Sequence, residues 1–203
     1  MSWPSADWFD YSVLPEQCER VHAAGRVAVF MGDRLNRVAQ LKPAMYIRGM
    51  ENILADMLTA PEMADAVFGR IRRFYAEYLR RILAASRGAI DLVLTGDDFG
   101  MQGGPIVSPA LWDRFLADGF RAYIEIAHEA RTMVVHHTCG DVVSLVPLMV
   151  DCGLDVLQSL QPDCMGEHLA GLKRDYHGRL RLHGGISVQN TLPRGTPEDV
   201  EDE

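Results

Sequence analysis

Asp91-Leu92-Val93-Leu94-Thr95-Gly96-Asp97-Asp98-Phe99-Gly100 is a short apolar run that empties into two carboxylates and a glycine turn. A run this short, rich in aliphatic residues, fits a strand buried in a parallel sheet better than a helix. The construction recurs. Met133-Val134-Val135-His136-His137 breaks at Cys139-Gly140, and Asp155-Val156-Leu157-Gln158 leads to a loop with Gln161, Pro162 and Cys164. Leu180-Arg181-Leu182-His183 ends at Gly184-Gly185, and upstream Val27-Ala28-Val29-Phe30 ends in Gly32.

Helical patterns fill the gaps. Thr59-Ala60-Pro61-Glu62 has the form of a capping box with an early proline. Met63, Val67, Ile71, Phe74, Tyr78 and Ile82 follow at three- and four-residue spacing. Ser108-Pro109 opens another helix, Asp141 caps one that ends at Gly153, and a shorter one covers 167–176. Residues 1–26 and the stretch before Thr59 read as irregular.

Strands alternating with helices imply right-handed βαβ units and a parallel sheet, either doubly wound or closed as a TIM barrel. Polar and glycine residues gather after nearly every strand: Asp97/Asp98, His137/Cys139, Gln158/Gln161 and His183/Gly185. Sites built from many strand ends favour the barrel, because an open sheet concentrates them at one switch point. Neither a G-x-G-x-x-G nor a Walker-A sequence is present. Five strands fall short of the eight of a barrel. Thr196-Pro197-Glu198-Asp199 starts a helix, yet the sequence ends at Glu203. The expected architecture is an α/β fold, an incomplete (β/α)8 TIM barrel over 27–203 behind an irregular leader over 1–26.

The 203 residues carry a net charge of −8, with 48% hydrophobic and 24% charged residues, which excludes disorder and argues against nucleic acid or an anionic membrane as partner. No apolar run approaches the ~18 residues of a membrane span. The start at Met1-Ser2-Trp3-Pro4 lacks the n- and h-regions of a signal peptide. Four cysteines without an export signal suggest reduced thiols, so the expectation is a soluble cytoplasmic protein.

His137-Thr138-Cys139 is the sharpest chemical feature. Residues two apart in an extended segment point the same way, so imidazole and thiolate can converge as zinc ligands. Catalytic zinc commonly has three protein ligands, and Cys164 and His183 are the candidates for the third. The competing reading is a small buried cysteine beside a hydrogen-bonded core histidine. Asp97 and Asp98 are candidate catalytic groups, binding substrate hydrogens or serving as an acid, against the alternative of a solvated Asx-turn. Gln158 is a candidate substrate contact, and Gly184 and Gly185 would either let a ligand approach the backbone or only make the turn.

Taken as an ordered set, these motifs resemble the uroporphyrinogen decarboxylase superfamily. The set comprises 96–102 and 108–112, His136-His137-Thr138-Cys139-Gly140, 153–157, Leu172-Lys173, Gly184-Gly185-Ile186 and 195–200. The resemblance implies a TIM barrel, here shortened at both ends, and one of two chemistries. Decarboxylases of the family work on a porphyrinogen, in porphyrin biosynthesis, without a cofactor. Tyr46, in Tyr46-Ile47-Arg48-Gly49, is similar to their substrate-side tyrosine, and Asp98 falls about where they place a serine. Methyltransferases of the family move a methyl group between a corrinoid, carried on a partner protein, and a thiol or aryl ether. Those resembling methylcobamide:coenzyme M methyltransferase bind zinc through H-x-C and a distant cysteine, which here would lie beyond Glu203. An acidic chain with an imidazole–thiolate pair suits zinc-assisted methyl transfer to a thiol better than binding of a polycarboxylate. Two alternatives remain beside it: decarboxylation, and a non-catalytic remnant or barrel piece whose exposed sheet edges demand a partner, a second copy included.

Overall fold

In the computed structural model, which describes residues 3–31 and 38–203, the strands follow in chain order. They are β1 (Val29–Phe30), β2 (Leu92–Gly96), a small hairpin of β3 (Gly100–Met101) and β4 (Gly104–Pro105), β5 (Met133–His137), β6 (Val156–Leu160) and β7 (Arg181–Gly184). Outside the hairpin they form one parallel sheet in the order β1-β2-β5-β6-β7. Each new strand adds on the same side, with no reversal of direction. A doubly wound sheet reverses at its switch point, whereas five consecutive strands of a (β/α)8 barrel do not. The fold is this incomplete barrel. Met1, Ser2 and the expected strand-ending Gly32 lie outside the described residues.

The helices that clothe the sheet are α1 (Leu14–Ala23), α2 (Leu41–Arg48), α3 (Met50–Thr59), α4 (Pro61–Ser86), α5 (Pro109–Trp112), α6 (Asp118–Glu129), α7 (Val146–Asp151), α8 (Pro162–Asp175), α9 (Thr191–Arg194) and α10 (Pro197–Asp202). A π turn over Asp113–Ala117 joins α5 to α6. None of the helices among the described residues is long and apolar enough to cross a membrane. The leader is not irregular: α1 buries Cys18, and Phe9 packs on Tyr78 of α4 with ring centroids 4.8 Å apart. Two helices likewise occupy the stretch before Thr59. Thr59 itself is no cap; its hydroxyl donates to the Ala55 carbonyl inside α3, and α4 begins at Pro61 without a side-chain cap. The face of α4 that enters the core runs through Phe68, Ile71, Tyr75, Tyr78, Leu79, Ile82 and Leu83, leaving the expected Met63 at the exposed end. Helix α8 starts at Pro162, earlier than the expected 167, because a proline is at home in a first turn.

The alternation of a strand sorts neighbouring residues onto opposite faces. Along β2 and its exit, Leu94, Gly96 and Asp98 face the cleft, while Val93, Thr95 and Asp97 turn toward the helices and are buried. Strand β5 is in register with it, Thr95 opposite His136 and Gly96 opposite His137. So His136 goes to the helical side, stacked on Phe99 and hydrogen-bonded through Nδ1 to Thr95 Oγ1 at 2.8 Å, and His137 goes to the cleft.

At the opposite rim a second device repeats. Asp91, just before β2, accepts from the Ala28 N–H and contacts His22 of α1 at 2.8 Å; Asp155, just before β6, accepts from the Val134 N–H and contacts His128 of α6 at 2.8 Å. Each clasp ties a helix to the feet of two adjacent strands.

Behind the cleft, the backbones of Gly100 and Gly140 touch. A Cβ on Gly100 would lie 2.6 Å from the Cys139 carbonyl oxygen, and Gly140, at φ +79°, has no room for one either. Bonds from Gly100 N to Cys139 O (3.1 Å) and Asp141 N to Met101 O (2.8 Å) lace the two loops together. Gly140→Ala should therefore cost at least about 3 kcal/mol, since backbone faces backbone and neither yields. Gly25, at φ +68° with nothing near, meets only the backbone strain of a left-handed alanine, about 1–2 kcal/mol. Urea unfolding of both variants checks this; equal losses would show that the loop contact adds nothing.

Candidate functional site

Above the sheet opens a cleft of about 600 Å³, walled by Lys42 and Tyr46 of α2, Tyr75 of α4, and the ends of β2, β5 and β6. Asp98 and His137 line it, and Cys139 brings a third donor atom beside them. His137 Nε2 lies 3.5 Å from Cys139 Sγ and 3.7 Å from Asp98 Oδ1, and among the described residues Asp98, His137 and Cys139 form a group whose ligand atoms all fall within 4.8 Å of one another. Gln158 Oε1, 3.0 Å from His137 Nδ1, accepts its proton and leaves the Nε2 lone pair for the cleft. A tetrahedral zinc with bonds of about 2.3 Å to sulfur and 2.0–2.1 Å to nitrogen holds those atoms about 3.5 Å apart. The His137–Cys139 spacing fits such an ion.

Asp98 is held from both sides. Its Oδ2 accepts from Lys42 Nζ at 2.6 Å and its Oδ1 from the Cys139 N–H at 3.2 Å. Partial burial works to raise its pKa, but the hydrogen bond and charge of Lys42, the Cys139 N–H and His137 outweigh it and keep the carboxyl below its usual range. Lys42 in turn is raised, chiefly by its hydrogen bond to Asp98.

Asp97 is elsewhere. Its buried carboxylate accepts the N–H groups of Gln40 (2.5 Å), Leu41 (2.8 Å) and Lys42 (2.7 Å), which are the orphan donors at the start of α2. The adjacent acids thus divide: Asp97 caps a helix, and Asp98 faces the cleft. Tyr46 stands at the lip, 65% exposed, and Gln158 lines the cleft beside His137. Gly184, at φ +118°, is pressed against the Leu160 backbone, and Gly185 N donates to Leu160 O; both shape the exit of β7 and neither lines the cleft. Cys164 sits in the first turn of α8 with its thiol 3.7 Å from the Gln161 carbonyl oxygen. His183 pairs with Gln158 in the sheet, two strands from His137 and so roughly 10 Å away. Neither candidate third ligand joins the His137–Cys139 pair; Asp98 does. The β2–β5 register explains this, because Asp98 and Cys139 each lie two residues beyond the paired Gly96 and His137. Lys42 is the group that sequence reasoning passed over, and only the Asp-Asp pair 55–56 residues downstream could have hinted at its place.

The sequence profile of the uroporphyrinogen decarboxylase (URO-D) family matches residues 38–203, which includes every cleft donor named above. The chain belongs to this family. It is 24% identical over 197 residues to the methylated-thiol–coenzyme M methyltransferase of Methanosarcina mazei, covering 90% of this chain and 50% of that protein. A solved methyltransferase from the same organism superposes with a TM-score of 0.59 at 20% identity, over 76% of this chain and 43% of that one. The chain spans about half the length of these relatives, and the structural likeness shows a shared fold.

The Asp97 cap has a pH signature. Burial raises its carboxyl from 3.8 to about 6, against the pull of the three N–H bonds and with the help of the neighbouring Asp98 charge. The folded chain therefore keeps a proton that the unfolded chain releases between about pH 4 and 6. This contribution to stability is complete below the unfolded value and is lost as pH rises through about 6. Relative to Asp97→Asn, which cannot titrate, the wild type should lose on the order of 2–3 kcal/mol across that window. Denaturant unfolding of both proteins at several pH values measures it, and a constant gap would contradict the assignment.

Proposed function

We propose that this chain binds zinc through His137, Cys139 and Asp98 and acts as a methyltransferase that delivers a methyl group to a thiol, with a corrinoid protein as the methyl carrier. The observation that carries the reading is the 3.5 Å spacing of His137 Nε2 and Cys139 Sγ, with Asp98 Oδ1 3.7 Å from the same nitrogen. Zinc held there would supply Lewis acidity, lowering the proton affinity of a substrate thiol so that it reacts as a thiolate. The chain's own residues do the rest. Gln158 fixes the imidazole in the tautomer that leaves Nε2 open, the Cys139 N–H and Lys42 orient Asp98, and Tyr46 offers a phenol at the cleft mouth. Support for methyl transfer comes from the resemblance to the M. mazei methyltransferase, whose name sets a methylated thiol against coenzyme M, itself a thiol, as the acceptor.

Decarboxylation of a porphyrinogen fits the cleft less well. Among the described residues that line it, Lys42 carries the one full positive charge, and it is already paired with Asp98. A polycarboxylate needs more.

Purified protein incubated with zinc and desalted should retain about one ion per chain, and Cys139→Ala should lose it while keeping its circular dichroism. With methylcobalamin as donor and a small thiol as acceptor, the loaded protein should demethylate the corrinoid, and the variant should not. Folded wild type that retains no zinc would overturn the proposal.

A further inference from the structure

Lys42 is gripped at both ends by neighbouring carboxylates. Asp97 Oδ1 accepts its backbone N–H at 2.7 Å, and Asp98 Oδ2 accepts its ammonium at 2.6 Å. Asp98 itself lies beyond the last ladder residue of β2, where no strand hydrogen bond sets its side chain. Its rotamer is set instead by two contacts that use different oxygens. Oδ2 points to Lys42, and Oδ1 takes the Cys139 N–H and faces His137 Nε2. An ordinary surface Lys–Asp pair contributes little, because two long side chains must be ordered to make it. Here the lysine backbone is already fixed by a buried carboxylate, which lowers that entropic cost.

We infer that Lys42 is the positioning residue of the cleft: it turns Asp98 so that Oδ1 joins His137 and Cys139. This rests on the zinc reading above. The competing outcome is that the ammonium rivals the metal for Asp98, in which case removing it would tighten binding. The geometry favours positioning, because the oxygen that faces the histidine and cysteine is not the one that the ammonium holds.

Cobalt(II) titration decides the matter, read by thiolate-to-cobalt charge-transfer absorption, with zinc competition giving zinc affinities. Lys42→Met should weaken binding 10- to 100-fold, the range for residues that orient a metal ligand. Lys42→Arg, which keeps a cation and a donor, should recover part of the loss. Asp98→Asn should also weaken binding, and the double variant Lys42→Met/Asp98→Asn should bind no worse than Asp98→Asn, since Lys42 acts through Asp98. Melting curves should show Lys42→Met folded, because its ammonium stem is 42% exposed and its backbone N–H is unchanged. Binding as tight as wild type or tighter in Lys42→Met, or losses that multiply in the double variant, would overturn the inference while leaving the zinc centre standing. A wild type that takes up no cobalt would remove both.

Discussion

The buried carboxylate of Asp97 is the point from which the cleft is built. It brings the end of β2 to the start of α2 and satisfies three backbone donors that would otherwise be stranded in the interior. Helix α2 then supplies Lys42 and Tyr46 to one wall of the cleft, opposite the donors from β2 and β5. The cost of burying a carboxylate is real, as its raised pKa shows, and the N–H groups of the helix end offset much of it. Local sequence contains no cap for α2, and its N-terminal residue Gln40 makes no capping bond of its own.

That tertiary cap explains why α2 was illegible in the sequence while the strands were not. Runs such as Met133–His137 announce themselves by composition and by the turn residues that follow, and the observed β5 has those bounds. A helix whose first N–H groups are satisfied from 55–57 residues away leaves no local trace. The same limit applies to the candidate site. The convergence of His137 and Cys139 follows from strand alternation, which needs only spacing. That Asp98 stands beside them, and Asp97 does not, follows from the β2–β5 register, which spacing within one strand cannot supply. Gly184 and Gly185 illustrate the converse: a glycine pair after a strand is equally compatible with ligand approach and with a tight backbone crossing, and contact with Leu160 makes it the latter.

All three donors of the proposed centre come from the ends of two adjacent strands, within a stretch of about forty residues inside a chain that spans half the length of its relatives. The clasps at the lower rim act at the feet of the same strands: Asp91 precedes β2, and His128 and Asp155 bracket β5. The clasps and the candidate site thereby lie at opposite ends of the sheet, the arrangement barrels generally use to separate stability from chemistry.

The contact between Gly100 and Gly140 bears on how the proposed centre would hold an ion. It fixes the two donor-bearing loops at one separation, with no side chain between them to compress or swing aside. A zinc ion held by His137 and Cys139 would take its bond to Asp98 across that crossing, so the reach from the β2 loop to the β5 loop would be set by backbone and not by a side chain. The span of the proposed centre would thus be governed by a backbone crossing that touches no donor atom at all.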